Sequence, residues 1–178
     1  WGDLFVTPSE TAVASTSVIA QMRGRAVHRA LQLGARAPRW EQIDATLAAE
    51  FPALASTLRA ACAQEARALI EDDSLREWFD ARRYDRAENE LPILYRDGER
   101  EVYGVIDRLV FRGSEICLLD YKSQAPATAA ELASLSARYA AQLRMYASGV
   151  QRAWPACTVR ALLLFTGNRQ VAEIALGE

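Results

Sequence analysis

The sequence predicts an α/β domain in which a central sheet is flanked by helices and the N-terminal half adds an accessory helical layer. Apolar residues recur at helical spacing up to about residue 81, and they alternate with polar residues from about residue 90. A long helical segment then separates these strands from two more. The 178 residues are enough for one domain with its own core. We expect a helical part at about 8–81 and a part with the sheet and long helix at about 86–178.

The helical half divides into four segments. Thr7-Pro8-Ser9-Glu10 has the pattern of a capping box, so helix 1 begins between 8 and 16 and ends near Gly34. Further helical segments are expected at 40–50, 52–71 and 73–81.

The second half supplies the sheet. Turn signals separate the first three strands, at Arg96-Asp97-Gly98 and Gly113-Ser114. The expected elements are strands at Glu90–Tyr95, Glu101–Phe111 and Glu115–Lys122, a helix at 129–154, and strands at Thr158–Phe165 and Gln170–Leu176.

Composition excludes several classes of protein. The net charge of −2 argues against holding nucleic acid by bulk charge. Three dispersed cysteines predict buried free thiols and neither a disulfide framework nor a zinc site. No apolar run approaches the ~18 residues of a membrane span, and no signal peptide opens the chain. Because it starts at Trp1, we expect a fragment of a larger protein.

Two residue types occur only once. Of the 21 Lys and Arg residues, Lys122 is the only lysine, and His28 is the only histidine. Under a bias this strong toward arginine, a lysine is expected where arginine would fail.

A pair of carboxylates is predicted on the second hairpin. A two-residue loop at Gly113-Ser114 pairs Arg112 with Glu115, and the same register sets Asp107 opposite Asp120. Opposed side chains of like charge repel, so we expect either a raised pKa or a bound hard cation such as Mg²⁺ between them. Lys122 shares a face with Asp120 because it lies two residues further along. The alternative is ordinary ion pairing of both aspartates with Arg108, Arg112 or Lys122.

These residues resemble the PD-(D/E)xK nuclease superfamily, and more closely the RecB/AddA-type nuclease domain of UvrD/Rep-like helicase-nucleases. The resemblance covers about 20–166 and implies a restriction-endonuclease-like α-β-β-β-α-β core with a mixed sheet. The matching pieces, in order, are Arg23-Gly-Arg-Ala-Val-His28, Glu90-Leu-Pro92, Gly104-Val-Ile-Asp107-Arg, Asp120-Tyr-Lys122, Gln142-Leu-Arg-Met-Tyr146 and the apolar strand Ala161 to Phe165.

The resemblance implies a role for each matching residue. The implied metal ligands are His28, Asp107, Asp120 and the backbone carbonyl of Tyr121. Lys122 corresponds to the catalytic lysine, and Glu90 to an acidic residue near a second metal or water. The implied residues that contact DNA or support the site are Arg25, Gln142 and Tyr146.

The implied function is Mg²⁺-dependent hydrolysis of DNA, with Mn²⁺ able to substitute. The expected substrate is a single strand or duplex end, cut as an exonuclease during double-strand-break repair or recombination. A helicase in the same chain or complex is the expected partner, in the bacterial cytoplasm at the nucleoid. Some relatives carry an iron-sulfur cluster on four cysteines; three scattered cysteines predict none here.

Each assignment has a plainer alternative. His28 could be a core histidine, Glu90 a strand-edge partner of Arg86, and Tyr146 a packing residue beside Leu143 and Val150. Gly24, within a helix, indicates a close backbone approach near His28. The whole domain could also be a catalytically silent module that holds DNA or docks a helicase, or an unrelated protein-interaction domain.

Overall fold

A computed structural model describes the backbone of residues 10–177 and the side chains of residues 18–177. Five helices and five strands are present in this part of the chain. The helices are α1 (Glu10–Arg36), α2 (Trp40–Glu50), α3 (Ser56–Ile70), α4 (Arg76–Phe79) and α5 (Ala129–Ala153). The strands are β1 (Arg86–Asp97), β2 (Arg100–Arg112), β3 (Glu115–Lys122), β4 (Thr158–Phe165) and β5 (Gln170–Ile174). None of the described helices is long and apolar enough to cross a membrane.

The strands form one mixed sheet in the order β1-β2-β3-β4-β5. β3 and β4 are parallel, and every other neighbouring pair is antiparallel. The parallel pair requires a crossover, which α5 supplies. β1 is an edge strand, and it therefore tolerates Pro92, which lacks a backbone N–H. The predicted α/β class, with a mixed sheet between helices, is confirmed.

Helices cover both faces of the sheet and enclose two cores. On one face, α1 to α4 form the predicted accessory layer and pack on a core that includes Leu119 and Tyr121 of β3. On the other face, α5 packs on a core that includes Ile106, Leu118 and Phe165. β3 is buried on both faces, as is usual for a strand inside a sheet between helical layers.

The helix boundaries differ from prediction where a local turn overrides periodicity. α1 continues past Gly34 to Arg36 and stops before Pro38, which disfavours helical backbone in the residue before it. Gly34 instead makes room for packing, since a Cβ there would lie 2.8 Å from side-chain atoms of Trp40 and Ile70. The capping residues Thr7 to Ser9 lie outside the described residues.

Two further helical predictions are only partly correct. The segment expected at 52–71 begins at Ser56, because residues 52–54 form a turn after α2. The segment expected at 73–81 is broken into α4 and two 3₁₀ turns, at Asp73–Leu75 and Ala81–Arg83. An aspartate side chain caps each 3₁₀ turn, Asp72 through Ser74 N and Asp80 through Arg82 N.

Among the strands, β1 is longer than predicted and β5 ends at Ile174 rather than Leu176. β1 begins at Arg86 because it pairs with β2 along its length, starting at Arg86 and Phe111. Residues 86–89 are mostly polar, so they lack the alternating pattern that predicts a strand. Of the cysteines, Cys62 and Cys117 are buried as expected, whereas Cys157 is partly exposed.

The register predicted for the β2–β3 hairpin is confirmed. Arg112 pairs with Glu115, and the pairing continues as far as Arg108 and Leu119. It ends one residue before Asp107 and Asp120, so these two aspartates are not a ladder pair. The strands part at the position where the carboxylates were expected.

Candidate metal and active site

The site lies where β1 and β2 change the face toward which their side chains point. In a regular strand, Ala87, Leu91 and Ile93 would all point to the same face. Here Ala87 packs in the core beneath α1, whereas Leu91 and Ile93 pack in the core beneath α5. β2 shows the same change between Ile106, beneath α5, and the buried Arg108 on the α1 face. The β1–β2 pairing skips Glu90 and Asp107 at this switch, between the pairs Asn89–Arg108 and Leu91–Ile106.

The switch coincides with an unusual backbone conformation. Glu90 has φ of 53°, a left-handed conformation that is uncommon for residues other than glycine. Such conformations persist only where the surrounding structure enforces them, and they concentrate at functional sites. Here it directs the Glu90 side chain toward the same cavity as Asp107.

Three predicted side chains meet in that cavity. Ligand atoms of His28, Glu90 and Asp107 all lie within 4.8 Å of one another, and no other such group occurs among the described residues. His28 Nδ1 is 3.4 Å from Asp107 Oδ1. The cavity has a volume of about 340 Å³, and Arg25, Arg29 and Gln32 also line it.

Asp107 connects this cluster to β3. Its Oδ2 accepts a hydrogen bond of 2.6 Å from the backbone N–H of Tyr121. In an extended strand the N–H and C=O of one residue point to the same edge, so the Tyr121 carbonyl is also directed toward β2. The carboxylate thus occupies the gap that opens where the two strands part.

Asp120 and Lys122 form a second group on the α5 side of β3. Lys122 Nζ lies 2.6 Å from Asp120 Oδ2 and 4.4 Å from the centre of the Tyr139 ring. The exposed fractions of the two side chains are only 5% for Asp120 and 17% for Lys122. Asp120 Oδ2 is thus buried against the Lys122 ammonium group.

The placement of the carboxylates differs from the sequence expectation in one respect. The side chain that completes the cluster with His28 and Asp107 is Glu90, whereas Asp120 is held by Lys122. His28 contacts Asp107, and Lys122 contacts Asp120. Of the alternative ion pairs, the described side chains form only that between Asp120 and Lys122.

The other plain alternatives can also be compared with the structure. His28 lines the cavity at 28% side-chain exposure and meets Tyr121 edge to face, so it is not a core histidine. Arg86 pairs with Glu88 rather than Glu90. A Cβ on Gly24 would make an ordinary 3.6 Å contact with Ser123 Oγ, so the inferred close backbone approach is wrong.

Burial and repulsion among the carboxylates raise the pKa values of two acids at the site. Burial and then the negative charge of Asp107 raise the pKa of Asp120 to about 6, although Lys122 opposes this. The same two causes raise the pKa of Glu90. Burial by itself lowers the pKa of His28, but the hydrogen bond to Asp107 and the nearby carboxylates raise it overall. A group of acids arranged in this way favours binding of a cation.

Gln142 and Tyr146 lie on one face of α5, as predicted, and form a pair. Gln142 Nε2 donates to the Tyr146 hydroxyl at 3.0 Å. Tyr146 is 9% exposed and packs in the core beneath α5. Its ring lies against Gly104 of β2, where a Cβ would be 2.8 Å from the Tyr146 hydroxyl oxygen. The close backbone approach in this region therefore occurs at Gly104.

Sequence reasoning missed two residues beside Lys122. Tyr139 provides the ring beneath the ammonium group, and its hydroxyl accepts a hydrogen bond of 3.0 Å from Gln124 Nε2. Tyr139 lies seven residues before Tyr146, two helical turns along the same face. Gln124 lies two residues after Lys122 in extended chain. Both spacings were visible in the sequence, but neither pointed to a partner for the lysine.

The fold and this site define an α/β domain of the nuclease class, with acidic residues, a histidine and a lysine gathered where two sheet strands part. A family model for the PD-(D/E)XK nuclease superfamily matches residues 7–176, and the chain belongs to that superfamily. A comparison with curated proteins finds no significant match. Membership suggests a metal-dependent nuclease, that is, a hydrolase of phosphodiester bonds.

Proposed function

We propose that this chain is a Mg²⁺- or Mn²⁺-dependent deoxyribonuclease that acts on single strands or duplex ends. The observation that carries the proposal is the convergence of His28, Glu90 and Asp107 in one cavity, with Asp107 bonded to the strand that bears Asp120 and Lys122. These five residues come from α1, β1, β2 and β3, so the fold brings them together from distant parts of the sequence.

The donor atoms fit a hard divalent cation. Mg²⁺ is bound through one or two carboxylates together with water and substrate oxygens, and a carboxylate and imidazole set also suits Mn²⁺. Asp107 and Asp120, with His28 and the Tyr121 carbonyl, are the proposed ligands, and Glu90 stands beside them. The burial of Asp120 near the negative charge of Asp107 supports its inclusion, because a cation would offset the repulsion between them.

A bound divalent ion would polarise the phosphate and lower the pKa of a water molecule. In the hydrolysis, a bond forms between water oxygen and phosphorus, and the bond to the leaving sugar oxygen breaks. The water proton is lost and the leaving oxygen gains one, which yields a phosphate monoester and a hydroxyl group.

Lys122 is the residue proposed to act on the water or on the charge that develops at phosphorus. Its ammonium group can orient or deprotonate the water, or stabilise the negative charge. A lysine can give up a proton when its pKa is shifted, which a guanidinium does not do in proteins. The Tyr139 ring and Asp120 hold the ammonium group in place.

The finer assignment is a RecB/AddA-type nuclease domain that belongs to a larger helicase-nuclease of double-strand-break repair or recombination. Residues 1–178 would then be one nuclease domain in the bacterial cytoplasm. The net charge of −2 supports this context, because an acidic domain gains from a motor that delivers the strand. Tethering raises the effective concentration of the strand without any new contact.

The test compares the wild-type chain with Asp107→Asn, Asp120→Asn and Glu90→Gln, and uses Asp44→Asn at an exposed helical position as the matched control. Cleavage of single-stranded DNA is followed with Mg²⁺, with Mn²⁺ and with a chelator, and Mn²⁺ binding is measured by calorimetry. We expect the two aspartate variants to lose at least a hundredfold in rate. Glu90→Gln should weaken Mn²⁺ binding roughly tenfold.

Equal cleavage rates in all five proteins would contradict the proposal. Strand binding without cleavage in any metal would instead support the alternative, a catalytically silent module that holds DNA or docks a helicase. A chain that binds neither Mn²⁺ nor DNA would favour a protein-interaction domain.

A further inference from the structure

A buried arginine lies directly beside the candidate metal site. The side chain of Arg108, the residue after Asp107, is fully buried. Its guanidinium makes no ion pair with any carboxylate of the described residues. It donates instead to three neutral acceptors, the Trp78 carbonyl (2.9 Å), Asn89 Oδ1 (2.6 Å) and the Tyr84 hydroxyl (2.9 Å). A buried cation without a counter-charge is uncommon, because burial of an unpaired charge is unfavourable.

Asn89 and Tyr84 accept hydrogen bonds from Arg108, so their donor groups remain for another partner. Asn89 presents its carbonyl oxygen to Arg108, so the two hydrogens of its amide group remain for another partner. Tyr84 uses its oxygen as the acceptor, so its hydroxyl hydrogen is likewise free. Across the part of the chain with described side chains, neither group donates to another protein atom. Arg108 therefore orients both side chains as donors.

These donors line a cavity of about 510 Å³. Arg29, Gln32 and Arg36 of α1 form its opposite wall, with Glu88 as the acidic residue present. Arg29 is paired with Glu50, whereas Glu88 lies 3.9 Å from Arg86. Arg36 and Arg108 have no carboxylate partner among the described residues, so this cavity is basic in a chain of net charge −2.

The basic cavity adjoins the candidate metal cavity. Arg29 and Gln32 line both. Asn89 precedes Glu90 on β1, and Arg108 follows Asp107 on β2, so successive residues of the two paired strands serve the two cavities. The two cavities are therefore adjacent, so a DNA strand bound at the metal cluster can place a neighbouring phosphate in the second cavity.

We infer that this cavity binds a phosphate group of the substrate strand next to the scissile one. The inference rests on the proposed nuclease function and adds to it a built anion site. Oriented amide and hydroxyl donors beside a fixed positive charge favour an anion, because hydrogen bonds to a charged acceptor are stronger than those to a neutral one, and a cation would be repelled. A local site of this kind lets an acidic domain contact a polyanion.

The decisive variant is Asn89→Asp. It keeps the shape of the side chain and supplies Arg108 with a counter-charge, but it removes the amide donors and repels an anion. A purely structural cluster would gain from the new ion pair and leave nucleic-acid binding unchanged. Arg100→Gln, at the exposed start of β2, changes the net charge by the same amount and is the matched control.

Two measurements are made in chelator, so that no metal-dependent cleavage occurs. The first is the rise in Tm produced by inorganic phosphate, and the second is the affinity for a labelled single strand across a range of salt concentrations. We expect Asn89→Asp to abolish the phosphate effect, to weaken strand binding about tenfold, and to reduce the salt slope by about 0.7, the value for one single-strand phosphate. Arg100→Gln should resemble wild type.

Arg36→Gln gives a second readout should Asn89→Asp unfold, because Arg36 is exposed at the end of α1. We expect about a threefold loss of strand affinity, beyond that of Arg100→Gln. Wild-type values of both measurements in Asn89→Asp, or identical behaviour of Arg36→Gln and Arg100→Gln, would overturn the inference.

Separate measurement of cleavage distinguishes the two hypotheses. If wild type cleaves DNA with Mn²⁺ but these variants bind the strand normally, the anion site fails and the nuclease proposal stands. If phosphate raises Tm while no strand binds or is cleaved, the proposed function fails, and the cavity is a site for free phosphate rather than for a strand.

Discussion

The two parts of the candidate site lie on opposite sides of the sheet and differ in how their charges are balanced. His28, Glu90 and Asp107 face an open cavity beneath α1, and two of these three clustered side chains are acids. Asp120 and Lys122 are buried beneath α5 and neutralise each other. An open acidic cluster can admit a cation and solvent, whereas a buried ion pair is stable only while both partners remain. Asp107, through its bond to Tyr121, joins the two parts.

Among the variants that distinguish the two parts of the site, Lys122→Arg is expected to have the largest effect. Arginine keeps the positive charge beside Asp120, so the buried pair survives, but it cannot act as a proton carrier. We expect the rate of DNA cleavage to fall about a hundredfold or more, with Mn²⁺ binding at the open cluster unchanged. Arg100→Lys, the reverse exchange at an exposed position, serves as the control. Wild-type cleavage by Lys122→Arg would mean that only the charge matters.

A smaller effect distinguishes the packing of the two sides. A methyl group added at Gly104 of β2 would lie too close to the Tyr146 ring of α5. One added at Gly24 of α1 would contact only Ser123 Oγ, at 3.6 Å. Gly104→Ala should lower the free energy of unfolding by about 1–3 kcal/mol through overpacking. Gly24→Ala should raise it by up to about 1 kcal/mol, because alanine favours a helix. Urea denaturation measures both, and a change of the same sign in the two variants would contradict this difference.

The smallest effect concerns the pH dependence of stability without metal. The folded-state pKa of Asp120, about 6, exceeds the ordinary value for aspartate. The folded protein therefore binds more protons than the unfolded chain between roughly pH 4 and 6, so this residue makes stability fall as pH rises through that interval. The raised pKa of His28 acts in the same direction at higher pH.

In chelator, the effect of Asp120→Asn on the free energy of unfolding should thus be more favourable at pH 7.5 than at pH 4 by about 1–2 kcal/mol, a difference that already includes the loss of the ion pair with Lys122. Other carboxylates contribute equally to both proteins and cancel in the comparison, and Asp44→Asn should show no such difference. Mn²⁺ should stabilise wild type more at pH 7.5 than at pH 5, because its ligands must be deprotonated. A parallel pH dependence in wild type and Asp120→Asn would contradict burial of the charge.

Prediction from sequence succeeded where short-range rules apply. The two-residue loop at Gly113-Ser114 was enough to predict the β2–β3 register, because loop length determines which residues pair. α2 and α5 followed from periodicity, and β4 from its apolar run. Periodicity failed at residues 73–81, where aspartate-capped 3₁₀ turns replace a continuous helix.

The candidate site was predicted in its residues but not in its arrangement. Glu90 was assigned a place near the site, yet its left-handed backbone could not be predicted, because that conformation is unfavourable for a glutamate unless the fold imposes it. Likewise, Arg108 was considered only as an ion-pair partner. Its actual partners come from residues 78, 84 and 89, which only the folded chain brings around it.

The amino-acid sequence by itself determined the element order, the hairpin register and the set of side chains that could carry chemistry, since these depend on local spacing and residue type. The tertiary structure decided which acids share a cavity and which acid is paired with Lys122. It also decided that a buried arginine turns two neighbours into donors. Distances between elements, and the burial that strengthens each charge, exist only once the helices have covered both faces of the sheet.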